Sequence, residues 1–137
     1  MAGNAKSDKL KRLVAVQRHV ERMAESDLAA TTRQRDEVSV SMDNVMLAIG
    51  SLDPVHRLFA QGYADRFNRL SNADLQLANL QKMQEMKLLR EGAKADRLED
   101  SMKDARAHEQ RERDDEAVLD VVDMRYATPA SSKLQER

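Results

Sequence analysis

The residues best placed for chemistry in this sequence are His108 and Glu112, which lie one helical turn apart. An imidazole and a carboxylate at that spacing are suited to share a metal ion. A metal site needs more ligands, and the sequence places neither a second histidine nor a facing set of carboxylates with this pair. We therefore interpret the pair as solvated surface, and the neighbouring Asp114 and Asp115 as an acidic run outside any cleft.

Other signatures of catalysis are missing from the sequence. The four glycines lie far apart, so no phosphate-binding loop is formed, and no serine stands in a nucleophile-elbow motif. The absence of cysteine removes disulfides, thiolate metal sites and thiol nucleophiles, and it suits a reducing compartment. We predict a protein that is not an enzyme and that holds no metal or other cofactor.

Hydrophobic periodicity carries the main structural signal in the first third of the chain. Steps of three and four residues from Leu10 reach Ile49 through twelve positions, of which nine are apolar. This spacing is typical of a coiled-coil seam and predicts a helix over about 8–49. The polar Thr31 and Arg35 weaken the middle of the seam.

The apolar pattern resumes at Tyr63 and predicts a second, longer helix over about 54–126. Its later positions are occupied by Glu109, Glu112 and Glu116, so we expect its last thirty or so residues to pack weakly on this chain. Gly92 interrupts the helix propensity of this stretch. A glycine here is compatible with a kink or a break in the helix or with a plain surface position, and we favour the surface position.

The stretch 50–53 is predicted to reverse the chain between the two helices. Gly50 suits the left-handed conformation that closes a helix, Asp53 suits an N-cap, and Pro54 suits a first helical turn. The predicted fold is therefore all-α, a single antiparallel two-helix coiled-coil hairpin over 1–137. With the turn centred near Leu52, Leu10 lies opposite Lys94 and everything after Leu98 overhangs.

The ends of the chain carry weaker signals. Residues 1–7 and 128–137 are predicted to be frayed, with Pro129 stopping the second helix. The sequence contains no apolar run long enough for a secretion signal or a membrane span. We therefore expect a cytoplasmic protein.

Charge is zoned along the chain although the formal net charge is only −1. Residues 6–22 carry six basic and two acidic side chains, and residues 82–97 carry five and three. Residues 98–123 carry four basic and ten acidic side chains. We predict a basic open end and an acidic overhang, a pattern that favours a partner recognising the two regions differently.

Three of the four aromatic residues, Phe59, Tyr63 and Phe67, follow each other at steps of four just after the turn. They are predicted to share one helix face. One or two of them are expected to pack against Met42, Val45, Met46 and Ile49, and an exposed remainder is expected to form a docking patch for another protein.

The stretch LKRLVAVQRHVERMAESDLA (10–29) resembles the opening of the flagellar type III export stalk protein family and its injectisome counterparts, through residues such as Leu13, Arg18 and Glu21. The stretch HEQRERDDEAVLD (108–120) resembles the closing stretch of that family. Chain length, an early glycine and proline turn and two unequal helices agree with the resemblance over nearly the whole chain.

The resemblance implies a non-enzymatic central stalk that inserts into a hexameric export ATPase and engages the cytosolic domain of a membrane export gate. It also implies binding and recycling of export chaperones, and membrane association only through these partners. The side chains that would face the ATPase are Lys9, Lys11, Arg12, Arg18, Arg22, Lys87, Arg90 and Lys94. The side chains that would face the gate are Met42, Val45, Phe59, Tyr63 and Phe67.

Two alternatives remain at this point. The first is a structural adaptor or self-associating scaffold, in which residues 98–126 pair with a second copy. The glutamates in that stretch would repel each other across a symmetric seam, so we expect a monomer when the chain is free. The second is a nucleic-acid-binding hairpin, which we rank lower because no aromatic side chain stands among the lysines to stack on bases.

Overall fold

The computed structural model describes residues 5–51 and 53–135, and side chains up to residue 127. The chain forms α1 (Lys6–Ile49), a short α2 (Pro54–Leu58) and α3 (Ala60–Gln135). The described residues contain no strand. The predicted all-α class is confirmed, and α1 and α3 are two long helices that pack against each other.

The contacts divide the chain into two compact units, each built from a segment of α1 and a segment of α3. The central unit comprises Val16–Ala95. The terminal unit comprises the residues up to Ala15 together with those from Asp96 onward.

The predicted seam of α1 is confirmed from Gln17 to Val45, where each of its positions is buried or half-buried, whereas the predicted seam positions Leu13 and Ile49 are exposed. Ala24, Val45 and Ala95 form the buried apolar part of the central unit. The two segments run antiparallel, since Gln17 bonds to Glu91 whereas the later Arg35 bonds to the earlier Asp74.

In the terminal unit, pairing of the two helices extends further along α3 than predicted. Met102 and Ala105 are buried, and Glu109 accepts hydrogen bonds from Ser7. The prediction that everything after Leu98 overhangs is therefore wrong. Residues 110–127 are exposed throughout, which confirms that the end of the second helix packs weakly.

The register differs from the prediction because the reversal is longer than four residues. The separate helix α2 and a break at Phe59 lie between α1 and α3, where we predicted one continuous helix from about 54. The bonded pairs of the central unit are consequently centred between Pro54 and Leu58 rather than at Leu52, which itself lies outside the described residues.

The caps predicted for the two helices at the reversal are correct for α2 but not for α1. Asp53 is the N-cap of α2, its carboxylate accepts from the Val55 amide at 3.0 Å, and Pro54 opens the helix. Gly50 was expected to be left-handed, but no described residue has a positive φ. Its amide instead donates to the Met46 carbonyl at 3.0 Å, which extends the helical bonding of α1 by one residue.

The helices extend further into both predicted frayed ends, residues 1–7 and 128–137, than we predicted. α1 begins at Lys6, and Ser7 is only 4% exposed because Glu109 holds it. α3 continues through Pro129 to Gln135, whereas residues 1–4 and 136–137 lie outside the described residues. A proline removes one backbone donor, and a helix established on both sides of it tolerates that loss.

Gly92 is not the surface glycine that we predicted. It is half-buried, and a Cβ atom built at this position would lie 3.1 Å from Oε1 of Glu21 on α1. α3 passes through it without interruption. The missing side chain therefore serves a close approach between the two helices.

Candidate functional site

One exposed apolar surface of the central unit lies at the chain reversal. Leu58 is 83% exposed and Leu47 is 74% exposed. We name this surface the tip patch and define it by its exposed apolar side chains, Met46, Leu47, Ile49, Val55, Leu58 and Phe59. A cluster of large exposed apolar side chains is typical of a surface that another protein covers.

Local backbone structure presents these side chains outward. The helix α2 has only five residues and ends at Leu58, with Phe59 as its C-cap. So short a helix cannot bury a face against its neighbours, and none of its residues is buried. The Phe59 amide donates to the His56 carbonyl at 3.2 Å, and the Phe59 carbonyl accepts from the Tyr63 amide at 2.9 Å. Phe59 thereby joins the end of α2 to the start of α3.

A ring cluster stiffens the same reversal. The His56 ring nitrogen Nδ1 and the Tyr63 hydroxyl lie 2.9 Å apart, and their ring centroids are separated by 5.8 Å. Phe59 meets Tyr63 edge to face at 6.5 Å. Tyr63 is half-buried, so the cluster holds α2 against the start of α3 while Phe59 stays 57% exposed.

The five side chains predicted for the tip differ in accessibility. Val45 is 5% exposed and belongs to the buried interface, so a partner cannot reach it while the helices stay paired. Met42, Tyr63 and Phe67 are half-buried, and Met42 and Phe67 line the same groove. Phe59 is exposed, as expected for the remainder of the aromatic group.

Sequence reasoning missed the most exposed members of the tip patch, Leu47, Val55 and Leu58. The sequence contained an indication of them, because they are large apolar residues close to the predicted turn and none of them occupies a position of the predicted seam. Apolar residues that no predicted seam accounts for are therefore the ones to examine first.

The predicted basic residues divide between the two units. Arg18, Arg22, Lys87, Arg90 and Lys94 belong to the central unit, and Lys9, Lys11 and Arg12 belong to the terminal unit.

Two of the basic residues are engaged by glutamates of their own helix. Arg18 bonds to Glu21 at 2.8 Å and Lys94 to Glu91 at 3.3 Å. Arg22, Lys87 and Arg90 are exposed. These three are therefore the members of the central unit that are best placed to meet an acidic partner.

Glu91 is also the centre of a polar contact between α1 and α3. The Gln17 side-chain amide donates both to the Glu91 carboxylate and, at 3.1 Å, to the Glu91 carbonyl. The Gln17 bond is the main reason that the pKa of Glu91 lies below its ordinary value; burial opposes this shift, and Lys94 adds to it.

A second polar contact crosses the middle of the central unit, where we predicted a weak seam. Arg35 donates to Asp74 at 3.1 Å and to Gln81 at 2.9 Å. Thr31 is 3% exposed, and its hydroxyl donates to the Asp27 carbonyl at 3.2 Å. The Arg35 bonds form only in one register, so they favour a single alignment of the helices.

In the terminal unit, a carboxylate of α3 caps the first turn of α1. The Ser7 amide donates to Oε1 of Glu109 at 3.0 Å and the Ser7 hydroxyl to Oε2 at 2.5 Å. Amides in the first turn of a helix have no acceptor within the helix, and the helix dipole favours a negative charge there. The Ser7 bonds are the main reason that the pKa of Glu109 is lowered.

The side chains of His108 and Glu112 contact each other on the surface of α3. Nε2 of His108 lies 3.1 Å from Oε1 of Glu112, and both side chains are largely exposed. Within the described residues no group of three or more histidine, aspartate or glutamate side chains is arranged to hold a metal ion.

No family model, curated protein or solved structure matches this chain. None of the helices described in the structure combines the length and the apolar content that crossing a membrane requires.

Proposed function

We propose that this chain is a non-enzymatic coupling protein of a flagellar type III export apparatus, which links the hexameric export ATPase to the cytosolic domain of the export gate. In this proposal α1 and α3 form an antiparallel coiled-coil hairpin. The protein acts in the cytoplasm and reaches the inner face of the membrane only through its partners. Export chaperones are additional partners, and the free chain is a monomer.

The observation that carries the proposal is the tip patch. Six large apolar side chains are exposed within fourteen residues of chain, beside the Asp53 cap and the His56–Tyr63 contact. A partner that covers this surface removes apolar area from water, which favours association. The resemblance of 10–29 and 108–120 to the stalk family supplies the identity of that protein, the gate.

The basic side chains support the ATPase contact. Arg22 on α1 and Arg90 on α3 are exposed arginines of the central unit, and guanidinium groups recognise carboxylates with paired hydrogen bonds. Contacts of this kind govern the association rate and weaken as salt is added. We therefore expect the ATPase contact to depend on ionic strength more steeply than the gate contact.

The test measures binding of the purified chain to the export ATPase and to the gate cytosolic domain of the same organism. L58A/F59A removes two side chains of the tip patch and is expected to weaken gate binding at least tenfold while ATPase binding is retained. The matched control is L75A/M83A, which truncates two equally exposed apolar residues of α3 away from the tip.

R22E/R90E is expected to weaken ATPase binding at least tenfold and to leave gate binding unchanged. Its control, R33E/R69E, reverses one exposed arginine on each long helix at other positions. Circular dichroism of every variant reports whether the helices persist. If the unmodified chain binds neither protein, the export proposal is wrong and a structural adaptor is the function that remains.

A further inference from the structure

The end of α3 carries a second exposed apolar surface, separate from the tip patch. We name it the C-terminal apolar face and define it by Val118, Leu119, Val121, Val122 and Tyr126. These side chains are between 41% and 79% exposed, so no described part of the terminal unit covers them. With Met124, six large apolar side chains are exposed within nine residues of one helix, and packing of this chain on itself leaves them at the surface.

The helical period separates this face from an acidic ridge. At about 100° per residue, the five apolar side chains occupy an arc of roughly 160°. Glu116, Asp120 and Asp123 fall together in a sector of roughly 60° beside it. Arg125 lies within the apolar arc, between Val121 and Val118, and the exposed Met124 lies on the far side of the acidic sector. The segment is an amphipathic helix with one basic side chain in its apolar arc, which is wider than the narrow seam of a two-stranded coiled coil.

Charge restricts what can cover the face. Residues 114–126 contain five acidic side chains and one basic side chain, Arg125. A second copy would bring the same acidic residues against this surface, and an anionic membrane would also repel it. A protein surface that borders its apolar residues with lysine and arginine is complementary to the ridge.

We propose that the C-terminal apolar face docks into an apolar groove of a helical partner protein whose rim is basic. The binding mode is that of an amphipathic helix laid into a groove, with Val118, Val122 and Tyr126 as anchors one turn apart. The acidic ridge selects the partner, since it faces the rim of the groove. This interaction uses neither the tip patch nor the predicted ATPase-facing residues, and it holds whether or not the chain serves protein export.

The test uses the full chain and two synthetic helical-hairpin peptides as probes. Both peptides present the same leucine-lined groove between their two helices, with a rim of lysine in one and of glutamate in the other, and binding is followed by fluorescence anisotropy. We expect the lysine peptide to bind at least tenfold more tightly than the glutamate peptide. Equal binding of the two peptides, or binding of neither, would overturn the proposal.

Two variants locate the interaction on the chain. L119D/V122D is expected to weaken binding of the lysine peptide at least tenfold, whereas L75D/M83D, at exposed positions of the central unit, leaves it unchanged. D120K/D123K is expected to reverse the preference in favour of the glutamate peptide. An unchanged preference in that variant would show that the ridge does not select the partner.

The competing occupants are tested in parallel. Sedimentation of the unmodified chain reports self-association, and flotation with phosphatidylserine-containing vesicles reports membrane binding. We expect a monomer that stays off the vesicles. A dimer that L119D/V122D dissociates, or vesicle binding that the same variant abolishes, would assign the face to a second copy or to lipid and overturn the proposal.

Discussion

Two adjoining stretches of α3 in the terminal unit, residues 98–109 and 110–127, belong to one continuous helix and differ in what they contact. The first buries Met102 and Ala105 and bonds Glu109 to Ser7. The second contains larger apolar residues, including Leu119 and Tyr126, and leaves all of its side chains exposed. Burial here follows from the presence of α1 alongside and not from the hydrophobicity of the residue.

The largest difference in stability between the two stretches is expected for a charge introduced into the first one. A105E places a carboxylate at a position that is only 9% exposed, so we expect a loss of roughly 2 to 4 kcal/mol in the free energy of unfolding. V118E introduces the same charge into the second stretch and is expected to change stability by less than about 0.5 kcal/mol. Urea denaturation followed by circular dichroism measures both, and equal losses would break the comparison.

Truncating an apolar side chain is expected to destabilise the protein more in the first stretch than in the second, although the difference is smaller than for an introduced charge. M102A truncates a side chain that is 9% exposed and should lower the free energy of unfolding by about 2 kcal/mol. This value is near the lower end of the range for buried methionines, because only two helices enclose the side chain. L119A removes a side chain that is 62% exposed, and its stability should match that of the unmodified protein. Thermal melting compares the two, and a destabilised L119A would show that the second stretch packs on the chain after all.

The contact between Glu109 and Ser7, which belongs to the first stretch, is expected to make the stability of the protein depend on pH. Because the pKa of Glu109 is lowered in the folded protein, its contribution to stability is present above the ordinary glutamate pKa of about 4.3 and is lost as the pH falls through the lowered value. E109Q should remove that contribution, so the variant loses less stability than the unmodified protein between neutral and acidic pH.

Denaturant titrations of E109Q at several pH values make this measurement. E116Q is the matched control, since it removes one carboxylate from the exposed stretch of the same helix and keeps the Ser7 bonds. Identical pH profiles for E109Q and the unmodified protein would contradict a stabilising role of the cap.

The smallest effects are expected at two glycines of α3 that differ in what they face. G62A meets no atom within 4 Å and should stabilise the protein by up to about 1 kcal/mol through helix propensity. G92A gains the same propensity but places its Cβ against the Glu21 carboxylate, so its net gain should be smaller. Differential melting of the two variants tests the difference, and a larger gain for G92A would mean that α1 does not approach closely there.

Much of the architecture was predictable because it depends on local patterns. The seam of α1 in the central unit, the Asp53 cap with Pro54 after it, and the weak packing at the end of α3 all follow from residue spacing within a few turns. The exposure of Phe59 beside the half-buried Tyr63 and Phe67 was also anticipated from the limited interior of two helices. The partners of the tip patch stay a prediction.

The sequence by itself determined that the chain is helical, where its apolar seams run and which region reverses it, since helix periodicity and capping act over four or fewer residues. Only the tertiary structure decided the register of the two helices. The length of the reversal shifts every cross-helix pair, and with it the roles of Gly92 at a close approach and Glu109 as a cap for Ser7. Contacts between residues distant in sequence depend on that register, and no local pattern contains it.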